Sequence, residues 1–294
     1  LSSKLGVATA TLAAAASLLS PSDANAVLEP NGANDQLYRD LGAQYQGAAL
    51  QMRILVPGVG VGFRNASATF LNSNFAITAT HTFYDLLQYN PTFEFGDGLN
   101  YLTDRGNLMH ATSFWIYPGS TGSNGASVPD ITLIKFDSPY FASSDKTIGS
   151  VGANQTVTSA GFGDWGTPNS VAANGLARDG QLRGWEANVS PIAFGGYSDT
   201  YYQSAYFGFG NSGLLDGQGA NRDSGSPVFN NAGELVGINV AADLSYGQLG
   251  ATEFLGLSNP DVQSWVYSIV PEPSSGALAL LGGSALLASR RKRA

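Results

Sequence analysis

Three short segments of this chain hold the residue types that make a hydroxyl group nucleophilic at neutral pH. Arg222-Asp223-Ser224-Gly225-Ser226-Pro227-Val228-Phe229 supplies a serine, Ile77-Thr78-Ala79-Thr80-His81 a histidine, and Asp130-Ile131-Thr132-Leu133-Ile134-Lys135-Phe136 an aspartate. A serine hydroxyl needs a base within hydrogen-bond reach, and the base needs an anion that fixes its tautomer and supports its charged form. His81 is one of two histidines and closes a strand-like run, whereas His110 has no such context and is expected at the surface or half-buried. Asp130 stands just ahead of an apolar run, where an aspartate can also cap its own backbone, and Asp137 is its competitor.

The three residues lie 49 and 94 positions apart, so a body rich in long-range pairing must bring them together. Short runs of Val, Ile, Thr and Phe separated by Gly, Asn and Pro predict an all-β body of many strands. Val228-Phe229 and Leu235 to Val240, joined through Asn230-Asn231-Ala232-Gly233, predict a hairpin. Near the end Asn259 can cap a helix that has Pro260 at its first position and Val262, Trp265, Val266 and Ile269 on one face. Gly119 to Val128 reads as a surface loop.

The order His, Asp, Ser differs from that of subtilisin-like enzymes and of α/β-hydrolases. In that order, and within these motifs, the chain resembles the trypsin-like serine proteases. Ser67-Ala68-Thr69-Phe70-Leu71 with Phe75-Ala76-Ile77-Thr78-Ala79 resembles the strand pair that delivers the family's histidine, and Ile116-Tyr117-Pro118-Gly119 the segment ahead of the aspartate. Ser159-Ala160-Gly161-Phe162-Gly163 is similar to the first strand after the inter-barrel linker, and Leu235-Val236-Gly237-Ile238 to the strand leading to the substrate edge. The resemblance covers roughly residues 50 to 270. It implies two antiparallel six-stranded β-barrels split near residues 138 to 150, a C-terminal α-helix, and a secreted endopeptidase that uses His81, Asp130 and Ser224. It further implies an oxyanion hole from the backbone N–H groups of Arg222 and Ser224 and a substrate edge of Gln218, Val240, Ala241 and Ala242. The implied partner is a protein or peptide substrate, and no metal or organic cofactor is needed. Glu94, Asp97 and Asp104 make no diagnostic calcium series.

The chain departs from the family pattern at Arg222, where the family has glycine, and at Thr82, where it has cysteine. Asp223 corresponds to a carboxylate that pairs with a new α-amino group after zymogen cleavage. The chain has no Ile-Val-Gly-Gly segment for that pairing, and Val27 is the candidate amine. The arginine keeps a second reading open, a catalytically impaired protease-like surface or matrix binding protein. An esterase of the α/β-hydrolase class is a weaker third reading, because no Gly-x-Ser-x-Gly surrounds Ser224.

Both ends look like addresses. Lys4, an apolar run from Leu5 to Leu19 and Ala24-Asn25-Ala26 predict a signal peptide over residues 1 to 26. From Pro271, Pro-Glu-Pro, a small-residue apolar stretch and Arg290-Arg291-Lys292-Arg293 resemble the PEP-CTERM sorting signal of Gram-negative bacteria, which implies an exosortase-type partner. The expected location is the surface or exterior of such a bacterium, with transient anchoring by residues 271 to 294. Between the two addresses, residues 27 to 270 hold 9 basic and 20 acidic side chains, a net charge of −11. That balance argues against nucleic acid as a partner. The absence of cysteine means that no disulfide holds the body together.

Overall fold

The computed structural model describes residues 27–28, 33–57, 63–122, 128–141, 143–166, 177–194, 197–205, 215–219, 222–243 and 251–270. The expected signal peptide and C-terminal tail lie outside these residues, as does the middle of the 119–128 loop.

Strand β2 (Ala49–Leu55) shows why the first half closes on itself. Leu50, Met52 and Ile54 project to one face and are buried, in the alternation of a strand with one face on a core. Antiparallel pairing sets Ala68 and Ala66 of β3 (Phe63–Asn72) opposite Leu50 and Met52, and Phe95 and Phe93 of β5 (Thr92–Gly96) opposite Met52 and Ile54. Small residues on one neighbour and large ones on the other fill the interior. With β4 (Phe75–Thr78), β6 (Leu108–Ile116) and β7 (Thr132–Phe136) these strands close in the order β2-β3-β4-β7-β6-β5. The segment after β7 runs from residue 137 to 155 before the second set of strands begins.

The second barrel closes as β10-β11-β14-β13-β12-β8, again antiparallel throughout. Its strands are β8 (Thr156–Gly161), β10 (Arg183–Phe194), β11 (Tyr197–Ala205), β12 (Pro227–Asn230), β13 (Leu235–Asp243) and β14 (Ala251–Gly256). Val157, Val189, Val228, Val236 and Phe254 form its core. The expected hairpin is β12 with β13, turned at Gly233, whose φ of +76° suits a residue without a Cβ. Two residues of β1 (Val27–Leu28) pair in parallel with β9 (Trp165–Gly166). The chain is therefore all-β with two six-stranded barrels, as the resemblance implied.

Helix α1 (Asp35–Ala43) is an element that no sequence signal had singled out. Asn34 caps it by accepting from Gln36 N–H at 3.1 Å, and it lies against β10. The approach is close enough that a Cβ on Gly42 would stand 2.8 Å from the backbone of Arg183. Buried Arg183 ties the two elements together, its Nε donating to Asp35 at 2.5 Å and its Nη2 to Asp179 at 2.7 Å.

The chain from Asn259 onward forms a separate unit. Its helix α2 (Pro260–Ile269) begins as expected, with Asn259 Oδ1 accepting from Asp261 N–H at 3.0 Å and Val262 N–H at 3.3 Å. Val262 and Val266 are buried.

Candidate active site

His81 sits in a short 3₁₀ turn, Thr80–Thr82, that follows directly on β4. Phe83 anchors the turn edge-on against Phe93, with ring centroids 4.9 Å apart, and Thr82 donates its hydroxyl to Ala79 O at 2.7 Å. Thr82, where the family has cysteine, is thus buried and holds the turn by a hydrogen bond.

Asp130 precedes β7, and β7 pairs with β4 from Thr78 opposite Thr132 to Phe75 opposite Lys135. That register brings a residue 49 positions away to the histidine. Asp130 is 2% exposed and meets His81 twice: Oδ1 accepts the His81 backbone N–H at 2.9 Å, and Oδ2 lies 2.5 Å from Nδ1. A carboxylate held this way favours the tautomer with the proton on Nδ1, leaving Nε2 as the acceptor. Ser224 Oγ lies 2.9 Å from Nε2. Asp137, the competitor, is exposed and takes the Ser138 hydroxyl; His110 is exposed on β6 opposite Glu94.

The Ser224 turn is fastened to both barrels by side chains that the sequence did not mark. Ser67 of β3 donates its hydroxyl to Arg222 O at 2.8 Å and its N–H to Ser224 O at 3.3 Å. Thr69 donates to Gly225 O at 2.8 Å, and Thr78 donates to Ser67 O at 2.9 Å. From the second barrel Asn239 accepts the Gly225 N–H through its backbone oxygen at 2.8 Å. Its side-chain amide reaches Ser159 and Ser226, each at 2.7 Å. Buried Ser and Thr in alternation on β3 and β4 were the available signal, since such hydroxyls need partners inside a protein.

Gly225 follows the serine in a tight turn that a side chain could not enter. Its φ is +88°, and a Cβ there would stand 2.2 Å from Thr78 Oγ1 and 2.3 Å from Ser67 O. The absent side chain makes room for β3 and β4.

Arg222 has a φ of +72°, the left-handed region that glycine enters freely and that costs another residue about 1 kcal/mol or more. The carbonyl bond from Ser67 and a 2.9 Å bond from Arg222 Nη1 to Tyr101 OH hold it there. Among the described residues no acceptor takes the N–H of Arg222 or of Ser224. Asp223 is 1% exposed, and its Oδ1 accepts Gly163 N–H at 2.8 Å. A Cβ on Gly161 or Gly163 would stand 2.1 or 2.5 Å from that carboxylate, so these glycines form its cradle. Val27, the proposed amine, pairs with Trp165 in β1.

Of the expected substrate edge, Gln218 is 1% exposed and Val240 is 3% exposed, while Ala241 is half-buried on β13. Ala242 continues β13 opposite Thr252, and its side chain lies outside the described set. Asp216 is half-buried, with its backbone oxygen accepting from Tyr38 OH at 2.7 Å. Glu94, Asp97 and Asp104 are engaged separately: with Arg53 and Arg105, with Asn107 and Tyr140, and with the N–H groups of Leu99 and Gly106. Among the described residues no group of three or more His, Cys, Asp or Glu side chains is placed to hold a metal ion.

No curated protein matches the chain. The protein-family model for trypsin matches residues 49–254, from the start of β2 to the middle of β14, and so takes in nearly all of both barrels together with His81, Asp130 and Ser224. A match over more than half of 294 residues, on a pair of closed antiparallel six-stranded barrels, places this chain in the trypsin family.

Proposed function

We propose that the protein is an exported serine endopeptidase that hydrolyses peptide bonds through an acyl-enzyme. The observation that carries the reading is the line of contacts from Asp130 through His81 to Ser224, at 2.5 and 2.9 Å, in a trypsin-family chain. Ser224 Oγ attacks the carbonyl carbon while Nε2 of His81 takes its proton; the imidazolium then gives that proton to the departing amine. Asp130 keeps Nδ1–H pointed at itself and supports the transient positive charge. A water activated by His81 in the same way releases the acyl group. The N–H groups of Arg222 and Ser224 receive the charge that develops on the carbonyl oxygen, a contribution of about 10²–10³-fold for one such donor.

Gln218, six residues ahead of Ser224, is assigned to the base of the primary specificity pocket, and Val240, Ala241 and Ala242 to the acyl-side strand edge. A neutral amide does not offset the desolvation of a cation, so the P1 residue is uncharged, polar or modestly apolar. Export through residues 1 to 26 and sorting of residues 271 to 294 by an exosortase-type enzyme belong to the same proposal.

Labelling by a fluorophosphonate probe tests the chemistry. The wild-type chain should label at Ser224, and His81→Ala should label at least ~10³-fold more slowly. A folded wild-type chain that does not label is instead the non-catalytic binding protein. That alternative draws on Arg222, yet the arginine already occupies the φ that a glycine would. Comparison of kcat/KM for peptides with P1 Arg, Lys, Gln, Leu and Phe tests the pocket. A preference of tenfold or more for Arg or Lys that vanishes in Asp216→Asn would move the assignment from Gln218 to Asp216.

A further inference from the structure

Arg222, two residues ahead of Ser224, lines a small cleft, partly open to solvent, together with Arg53, Asn65, Tyr101 and Arg105 among others. Its charge is unbalanced. Arg53 lies 3.6 Å from Glu94, and Arg105 bonds the same carboxylate. Arg222 lies 3.6 Å from Asp164, which also receives Arg178 at 3.2 Å. Among the described residues, Arg53 and Arg105 of the cleft thus share the Glu94 carboxylate, in a chain whose net charge is −8. Arg105 Nη2 is buried and, among the described residues, has no hydrogen-bond partner. Burial, and then the neighbouring Arg53, push the Arg105 pKa down, as expected of two guanidinium groups crowded in a half-buried setting.

Position gives the cleft a direction. Asn65 and Ala66 immediately precede Ser67, which bonds to the carbonyls of Arg222 and Ser224. The acyl half of a substrate is assigned to β13 and Gln218, both in the second-barrel half of the chain. The cleft is lined mainly from the first-barrel half, by β2, β3, Tyr101 and Arg105, with Phe162 and Arg222 from the second, and the leaving half of the substrate is assigned to this side.

We propose that this cleft is a subsite for a carboxylate on the leaving-group side of a peptide substrate. It rests on the peptidase reading for its direction, and its chemistry is a bidentate or paired guanidinium–carboxylate contact in a half-buried setting. Arg105, with an unused donor, and Arg53 are the principal partners. The carboxylate comes either from an Asp or Glu side chain one or two residues beyond the scissile bond or from a nearby peptide C-terminus.

Peptides identical on the acyl side, carrying Glu, Gln or Lys beyond the scissile bond, and each made as free acid and as amide, test the subsite in two ways with the full chain. Hydrolysis should favour Glu over Gln roughly tenfold in kcat/KM at low ionic strength and less in 0.5 M salt. Equilibrium binding to the Ser224→Ala chain should show the same preference without turnover. Arg105→Gln and, separately, Arg53→Gln should each shrink it, with circular dichroism and thermal melting confirming the fold. Preference for Glu over Gln among the amidated peptides assigns the carboxylate to a side chain, and preference for free acid over amide whatever the side chain assigns it to the C-terminus; either supports the subsite. Binding that is equal or weaker for Glu than for Gln and also for free acid than for amide overturns it, because the net negative chain by itself repels an added carboxylate. Preserved acidic preference in binding with no hydrolysis by the wild type would overturn the peptidase reading and keep the cleft.

Discussion

Asp130 holds His81 at two points, the ring and the backbone N–H, so substitution at this residue separates positioning from charge. Asp130→Asn keeps an oxygen for the backbone N–H but turns an N–H₂ toward Nδ1, favouring the tautomer whose Nε2 carries the proton and cannot accept from Ser224. The expected outcome is a fall in kcat of about 10³–10⁴-fold with little change in KM, measured on a P1-matched peptide. Thermal stability should change far less than activity. Gly225 makes the opposite case. Gly225→Ala places a Cβ 2.3 Å from a backbone oxygen in a residue with φ of +88°, and the cost should be about 3 kcal/mol or more. Urea unfolding monitored by tryptophan fluorescence would read it as a lower midpoint, and a midpoint within experimental error of the wild type would refute the steric argument.

At the scale of elements, α1 is fastened to β10 by Arg183, which is 1% exposed and also lies 4.6 Å over the Trp165 ring. Asp35 and Asp179, its partners, are 18% and 31% exposed, so loss of the guanidinium leaves carboxylates that water partly reaches. Arg183→Met should therefore cost about 2–3 kcal/mol, at or below the lower end of the range for breaking a buried pair. Burial alone would raise the Asp179 pKa, but the hydrogen bonds from Arg183 and Gln181 outweigh it and hold the pKa below the usual carboxylate range. A depressed folded-state pKa contributes stability that is present above the unfolded value, near 4, and is lost as pH falls through the folded value. Unfolding free energies for the wild type and Arg183→Met should accordingly converge between pH 5 and pH 2. A gap of constant size over that range would mean that Asp179 does not supply it.

For the whole molecule, closure of each sheet removes the open edges that a six-stranded antiparallel sheet would otherwise expose, and it does so without a disulfide. The two barrels share the Ser224 turn, with β3 and β4 on one side and Asn239 on the other, so cleft and nucleophile arise only when both have closed. Residues 1–26 and the tail from Pro271 carry the export and sorting proposal. On that proposal, protein recovered from its native host should have lost the first segment and have the tail removed or embedded in membrane. Intact-mass measurement would check this, and a soluble extracellular form still ending in Ala294 would count against it.

Much of this was legible from the chain alone because it is written in local patterns. Asn259-Pro260 with an i, i+3, i+4, i+7 stripe gives α2, Val228-Phe229 and Leu235 to Val240 about Asn230 to Gly233 give the hairpin of β12 and β13, and the order of three motifs identifies which histidine, aspartate and serine belong together. These signals depend on periods and neighbours that a linear sequence displays. What tertiary structure decided depends on contacts across the chain. No local pattern says that Gly225 is required by Ser67 and Thr78, some 150 residues earlier, or that Arg222 can be held at φ +72° by a serine on another barrel. α1 escaped notice because its apolar residues are few and Arg183, 148 residues away from Asp35, supplies much of its anchoring. The clustering of Arg53, Arg105 and Arg222 is likewise a product of strand register and barrel closure, since charges far apart in sequence become one electrostatic site only when the fold excludes water from between them.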